Sequence, residues 1–175
     1  MAAYLRGAGL ISTGNVTINP LNGGVSSDIH LVTQGDKCFV VKQALAKLRV
    51  KDDWYAPVSR NQVEQEYLRY VGKILPEAVP AILHTDPEEG LFVMEYLGEG
   101  YSNWKALLLQ KQIDSHWAME AAQILGAIHK ASWGDKKTRE MFDTTRNFFD
   151  LRLESYLLAT GKRHPFLRDY FEAES

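Results

Sequence analysis

Between Val16 and Lys42 the chain runs as three short apolar segments separated by tight turns, a pattern that restricts this stretch to an antiparallel meander. Val16-Thr17-Ile18 leads into Leu21-Asn22-Gly23-Gly24. Asp28-Ile29-His30-Leu31-Val32-Thr33 then alternates at period two, and Gln34-Gly35-Asp36-Lys37 turns the chain into Cys38-Phe39-Val40-Val41-Lys42. The alternation predicts that Ile29 and Leu31 face away from His30 and Val32. From Arg60 to Lys73 the period becomes helical, with Val63, Tyr67, Tyr70 and Val71 as the apolar face and Glu64 and Glu66 off it. Pro76 and Pro80 close that helix. Ala81-Ile82-Leu83-His84 reads as a short strand, Pro87-Glu88-Glu89-Gly90 as a turn, and Leu91 to Tyr96 as an interior strand.

After Gly98-Glu99-Gly100 the pattern is helical. Asp114 or Ser115 caps a helix that runs to about Trp133 and stops at Gly134. Its apolar positions, among them Ala118, Ala121, Ala122, Leu125, Ile128 and His129, spread widely enough to predict deep burial. A last amphipathic helix runs from near Asn147 to about Gly161, with Phe149, Leu153, Tyr156 and Leu157 on one side. The expected class is therefore α+β. Residues 1–97 should form a five-stranded antiparallel sheet with one helix, and residues 98–175 a helical part.

With 45% hydrophobic and 24% charged residues, the chain has the balance of a water-soluble globular protein. A net charge of -2 excludes the basic footprint of a nucleic-acid binder. Lys136-Lys137-Thr138-Arg139 and Lys162-Arg163-His164 read as solvated surface. The single cysteine, Cys38, has no partner for an internal disulfide and reads as a small buried hydrophobe in a reducing compartment. No apolar run approaches the roughly 18 residues of a membrane span, and the N-terminus does not look like a secretory signal. The expectation is a cytoplasmic protein. The histidines show no metal spacing, and His129 reads as a core residue.

Gly23 and Gly24 suit a backbone that turns sharply and approaches phosphates closely, although Asn-Gly-Gly between strands is also an ordinary hairpin turn. Val25, Ser26 and Ser27 follow, and the serines can offer N–H and hydroxyl donors to phosphate oxygens. A Walker-type loop is excluded because no Gly-Lys-Ser/Thr follows. Lys42 ends an apolar strand, where a lysine is costly unless it is paired or reaches solvent. Glu64 and Glu66 on the next helix are candidate partners. Phe92-Val93-Met94-Glu95-Tyr96-Leu97, running into glycines and then helices, reads either as a buried strand or as a hinge whose backbone recognises a base.

In this order the residues resemble the aminoglycoside phosphotransferase family of small-molecule kinases, which has a protein-kinase-like fold. The resemblance covers roughly residues 18–167. It rests on Leu21 to Ser27, Val40-Val41-Lys42, Val63-Glu64-Gln65-Glu66-Tyr67, Val79 to Leu83, Phe92 to Leu97, Leu125-Gly126-Ala127-Ile128-His129, and Arg152 to Leu157 with Arg163-His164-Pro165. It implies a kinase-like N-lobe followed by the first helices of a helical C-lobe. It also implies ATP, with Gly23, Gly24, Val25, Ser26 and Ser27 in the loop above the phosphates. Lys42 would hold the α- and β-phosphates and Glu66 would orient it. Met94 would stand behind the adenine, while the backbone of Glu95 and Leu97 reads its edge. The long interval from Lys42 to Glu66, with Lys42-Gln43-Ala44-Leu45, Leu48-Arg49, Trp54, Pro57 and Arg60, is similar to methylthioribose kinases, whereas the glycine loop departs from theirs.

The family's His-Gly-Asp loop and metal-binding Asp are expected beyond Ser175, so the Mg²⁺ ligands are expected outside this chain. Trp133-Gly134-Asp135 comes too early and lacks an asparagine five residues on; it is not read as that loop. The resemblance implies phosphoryl transfer to a small-molecule hydroxyl, with the isolated chain inactive. The alternative is a non-catalytic nucleotide-binding or protein-interaction module. Leu153 and Leu157 are expected at the centre of a homodimer formed through the C-terminal helices.

Overall fold

The structure is a computed structural model that describes residues 1–21, 24–51 and 53–173. Its fold is α+β. The elements are α1 (Ala2–Gly7), β1 (Thr17–Pro20), β2 (Ser27–Gln34), β3 (Lys37–Ala44), α2 (Arg60–Ile74), β4 (Ile82–Asp86), β5 (Leu91–Glu95), α3 (Trp104–Leu109), α4 (Ser115–Ser132) and α5 (Lys136–Met141). There follow α6 (Thr145–Phe148), a π-helical segment (Phe149–Leu158), α7 (Ala159–Arg163) and α8 (Arg168–Ala173).

The five strands form one antiparallel sheet in the order β1-β2-β3-β5-β4, so the β4–β5 hairpin is added beside β3. Leu91, Phe92 and Val93 are buried because β5 lies inside the sheet. The register sets Ile18, Val32, Phe39, Val41 and Val93 towards one face, where α1 delivers Leu5. Leu5, Ile11, Val32, Phe39, Val41 and Val93 form a single buried cluster. The Tyr4 hydroxyl fastens α1 to β4 by donating to Asp86 at 2.7 Å, and it lies 3.1 Å from His84 Nε2. The short, glycine-interrupted α1 was not legible as a helix, yet it covers one side of the sheet.

The other face meets α2. Four sequence expectations fail on this side and beyond it. The buried residues of α2 are Asn61, Gln65 and Val71, while Tyr67 is exposed. Asn61 Nδ2 donates to the Gly90 carbonyl at 2.7 Å, a second bond to an oxygen that also accepts from Ala44 N at 3.0 Å, so a polar side chain is accommodated where the helix crosses the β4–β5 hairpin. Tyr67 and Tyr70 turn instead to Phe142, with edge-on ring centroids at 6.4 and 5.7 Å. Cys38 is exposed because, as the second residue of β3, it lies beside the Gly35–Asp36 turn, beyond the covered middle of the sheet. Helix α4 is shallowly packed rather than deeply buried: it meets α2 chiefly at Ile128, leaving Met119, Ile124 and Leu125 exposed. His129 is exposed as well.

The expected caps are present: Asp114 accepts from His116 N at 2.8 Å, and Gly134 stops α4 with φ +74°. In the π-helical segment Leu153 and Leu157 are half-buried and Tyr156 is exposed; the single helix expected over about 147–161 is divided among α6, this segment and α7, and α8 follows it. Among the described residues no helix is long and apolar enough to cross a membrane.

Candidate functional site

The antiparallel register arranges three rows on the α2-facing side of the sheet. Ser27 pairs with Ala44; Ile29 pairs with Lys42, which pairs in turn with Phe92; and Leu31 pairs with Val40, which pairs in turn with Met94. Successive rows lie about 7 Å apart along a strand. The end of the glycine-bearing loop, the strand lysine and the methionine therefore form a continuous strip. Met94 is half-buried between Val40 and Ile82.

Only 17% of the Lys42 side chain is exposed, and it needs a counter-charge. Glu64 supplies it, with Lys42 Nζ 2.5 Å from Glu64 Oε1. This corrects the assignment of that role to Glu66. Two residues further along a helix is a rotation of about 200°, and Glu66 instead pairs with Arg69 one turn on, at 2.8 Å.

Gly23 lies outside the described residues. Gly24 has no positive φ, and a Cβ there would make only ordinary contacts. Val25 is exposed and Ser27 is buried. The loop is held through its carbonyls: Arg49 N donates to Val25 O at 2.8 Å, and Leu45 N to Ser26 O at 3.0 Å. The Arg49 side chain also pairs with Asp28. At the far end of the strip, Glu95 N donates to Ala81 O at 2.9 Å, and its carboxylate accepts from Ala81 N at 3.2 Å. Leu97 is exposed and precedes Gly98, whose φ is +79°.

The sequence similarity included Arg60 without giving it a role. Its guanidinium donates to four backbone carbonyls: Ala56 at 2.9 Å, Pro57 at 2.7 Å, Ser26 at 2.6 Å and Leu45 at 2.7 Å. Burial draws its pKa below the ordinary value, and the nearby Glu64 carboxylate opposes that shift. A lone arginine at a helix start carries no sequence signal for such a clamp, because its partners are backbone groups from separate segments.

A cavity of about 700 Å³ lies between α2 and the helices after it, lined among others by Glu64, Tyr67, Tyr70, Phe142, Asn147 and Phe148. It shares only Glu64 with the strip. Asp135, in the rejected Trp-Gly-Asp sequence, is the N-cap of α5: it accepts from Lys137 N, Thr138 N and, at 2.6 Å, the Thr138 hydroxyl. Among the described residues no three His, Cys, Asp or Glu side chains gather as a cation site.

The chain is similar to curated methylthioribose kinases. It is 32% identical to that of Erwinia tasmaniensis over 152 residues, which is 83% of this chain and 34% of the relative. It is 31% identical to that of Exiguobacterium sibiricum over 94 residues, 53% of this chain and 24% of the relative. For that of Bacillus thuringiensis the figures are 29% over 84 residues, 47% and 21%. The chain thus spans about a third or less of the length of the curated relatives it matches. No protein-family model matches it. The similarities support a kinase-like family.

Proposed function

We propose that this chain is the nucleotide-holding portion of an ATP-dependent phosphotransferase acting on a small-molecule hydroxyl, of the aminoglycoside phosphotransferase type and similar to the methylthioribose kinases. The observation that carries the reading is the Lys42–Glu64 ion pair at 2.5 Å, set between Ser27 and Met94 on one sheet face. An ammonium oriented by a carboxylate on the crossing helix is what a kinase uses to hold the α- and β-phosphates.

The residues present suit ATP. Lys42 would hold phosphate oxygens, Ser26 and Ser27 would border them, and Met94 and the backbone of Glu95 and Leu97 would border the adenine. ATP would supply the γ-phosphoryl group, and Mg²⁺ the neutralising charge, through ligands outside this chain. The acceptor is a sugar hydroxyl, by analogy with the substrate in the relatives' name. Residues 1–97 act as the nucleotide lobe and 98–175 as the start of the helical lobe, in a cytosolic protein that self-associates through its C-terminal helices. Sedimentation at micromolar concentration tests the last point.

Calorimetric titration with ATP and ADP tests the main reading. The expected result is weak binding, no tighter than the high-micromolar range or roughly -5 to -6 kcal/mol, that Lys42→Met weakens further. Binding unchanged in Lys42→Met, or none at millimolar nucleotide, would count against the nucleotide assignment.

A further inference from the structure

The structure assigns Arg60 a role in orienting the phosphate-loop backbone, one that rests on the nucleotide-holding reading of the strip. Four carbonyls occupy both terminal nitrogens of the guanidinium, four of its five N–H groups, and lysine with three donors cannot reproduce it. Its partners come from three separate places: Ser26 at the end of the loop, Leu45 just past the strand of Lys42, and Ala56 and Pro57 ahead of α2. Arg60 itself begins α2, one turn before Glu64. One side chain thus ties the loop, the lysine strand and the glutamate helix to each other.

The tie has a directional consequence. The Ser26 carbonyl is held by both Arg60 and Leu45 N. The Ser26–Ser27 peptide is trans, as all described peptides are, so its N–H points opposite to its carbonyl. Fixing the Ser26 oxygen towards β3 and α2 therefore fixes the Ser27 N–H away from β3. Ser27 is 8% exposed, paired with Ala44 in the row next to Lys42. A loop backbone already held in one direction where it enters β2 need not be ordered when an anion binds above it, and such preorganisation avoids a cost on binding. Arg60 acts here as a positioning residue: both terminal nitrogens of its guanidinium are occupied by carbonyls.

Arg60→Lys and Arg60→Gln in the full chain test this, with two readouts a merely structural residue would not separate. Amide exchange should accelerate at 26–29 and 45–50 while the rest of the sheet keeps its protection. Affinity for ATP should fall about tenfold, equivalent to about 1.4 kcal/mol, with affinity for adenosine unchanged, because adenosine carries no phosphate. Equal losses for ATP and adenosine, or ATP affinity retained in a variant whose loop has loosened, would overturn the role. If wild-type chain binds no nucleotide, the reading of the strip itself fails, whereas wild-type binding with unaffected variants refutes Arg60 alone. Should Arg60→Gln not fold, Arg60→Lys, which keeps the charge, carries the test.

Discussion

Lys42 and Glu64 meet at 2.5 Å across the interface between β3 and α2, whereas Glu66, two residues on, is turned to Arg69. The pair is half-sheltered: 17% of the lysine side chain and 39% of the glutamate are exposed. Its arithmetic is therefore that of a partly screened charge pair. Removing Glu64 leaves Lys42 beside Phe92 without a counter-charge.

This sets a ranking. Glu64→Gln should destabilise the fold by about 1–2 kcal/mol, discounted from the cost of a fully buried broken pair because Glu64 is partly wet. Glu66→Gln should cost under about 0.5 kcal/mol, as for an exposed i,i+3 pair. Urea unfolding of both variants decides it, and the reverse order would show that Glu66 is the lysine's partner in solution. Nucleotide affinity should follow the same ranking.

The strands were legible because period-two alternation and turn residues act over a few positions, and Lys42 stood out as a charge within Phe39-Val40-Val41. The partner of Lys42 was not. Both glutamates lie off the apolar stripe drawn through Val63, Tyr67 and Val71, and the stripe itself misled. Asn61 and Gln65 are buried instead, with Asn61 bonding the Gly90 carbonyl of the neighbouring hairpin, a contact the helix's own pattern does not report. The pattern of α4 was read as deeply buried because apolar residues on all sides predict burial, but how much of them is covered depends on what packs there. Arg60 and the Tyr4–Asp86 contact join residues far apart in sequence, and no periodicity reports such pairs.

The Tyr4 hydroxyl makes α1 a pH-sensitive fastening. Burial, and then the hydrogen bond to Asp86, push the Tyr4 pKa up to about 12. The same bond, with support from the Glu89 and Glu88 N–H groups, lowers the Asp86 pKa. A depressed carboxylate contributes stability above its unfolded pKa and loses it as pH falls through the folded value. A raised phenol contributes below about pH 10 and loses its contribution as pH rises through about 12. Tyr4→Phe should therefore be less stable than wild type at pH 7, with the gap narrowing below about pH 4 and again at strongly alkaline pH. Thermal melts across this range check it; a gap independent of pH would exclude the bond as its source.

The isolated chain should not transfer phosphate. In-line transfer needs a positioned base and a metal-neutralised phosphate, and among the described residues the aspartates after Trp133 include caps and ion-pair partners: Asp135 caps α5, Asp143 accepts from the Thr145 hydroxyl and Asp150 pairs with Arg146. Incubating purified chain with labelled ATP, Mg²⁺ and a panel of sugars and amino alcohols should release no labelled product above background. Robust labelling of any acceptor would show that a base exists among these residues.

Asp135 offers the sharpest distinction between a cap and a catalytic acid. The Thr138 hydroxyl first, and then the N–H groups of Lys137 and Thr138, hold its pKa below the ordinary carboxylate value. By the same sign rule, its contribution to α5 is present above its unfolded pKa and disappears as pH falls through the lower folded value. Asp135→Asn keeps a side-chain acceptor but removes the charge at the helix start. The variant should lose amide-exchange protection at residues 137–141 at pH 7. The difference from wild type should shrink as the pH falls below the ordinary carboxylate range and the wild-type carboxyl takes up its proton. Its nucleotide affinity should not change at either pH. A loss of nucleotide binding in Asp135→Asn with α5 still protected would reverse the assignment and return the Trp133-Gly134-Asp135 segment to the site.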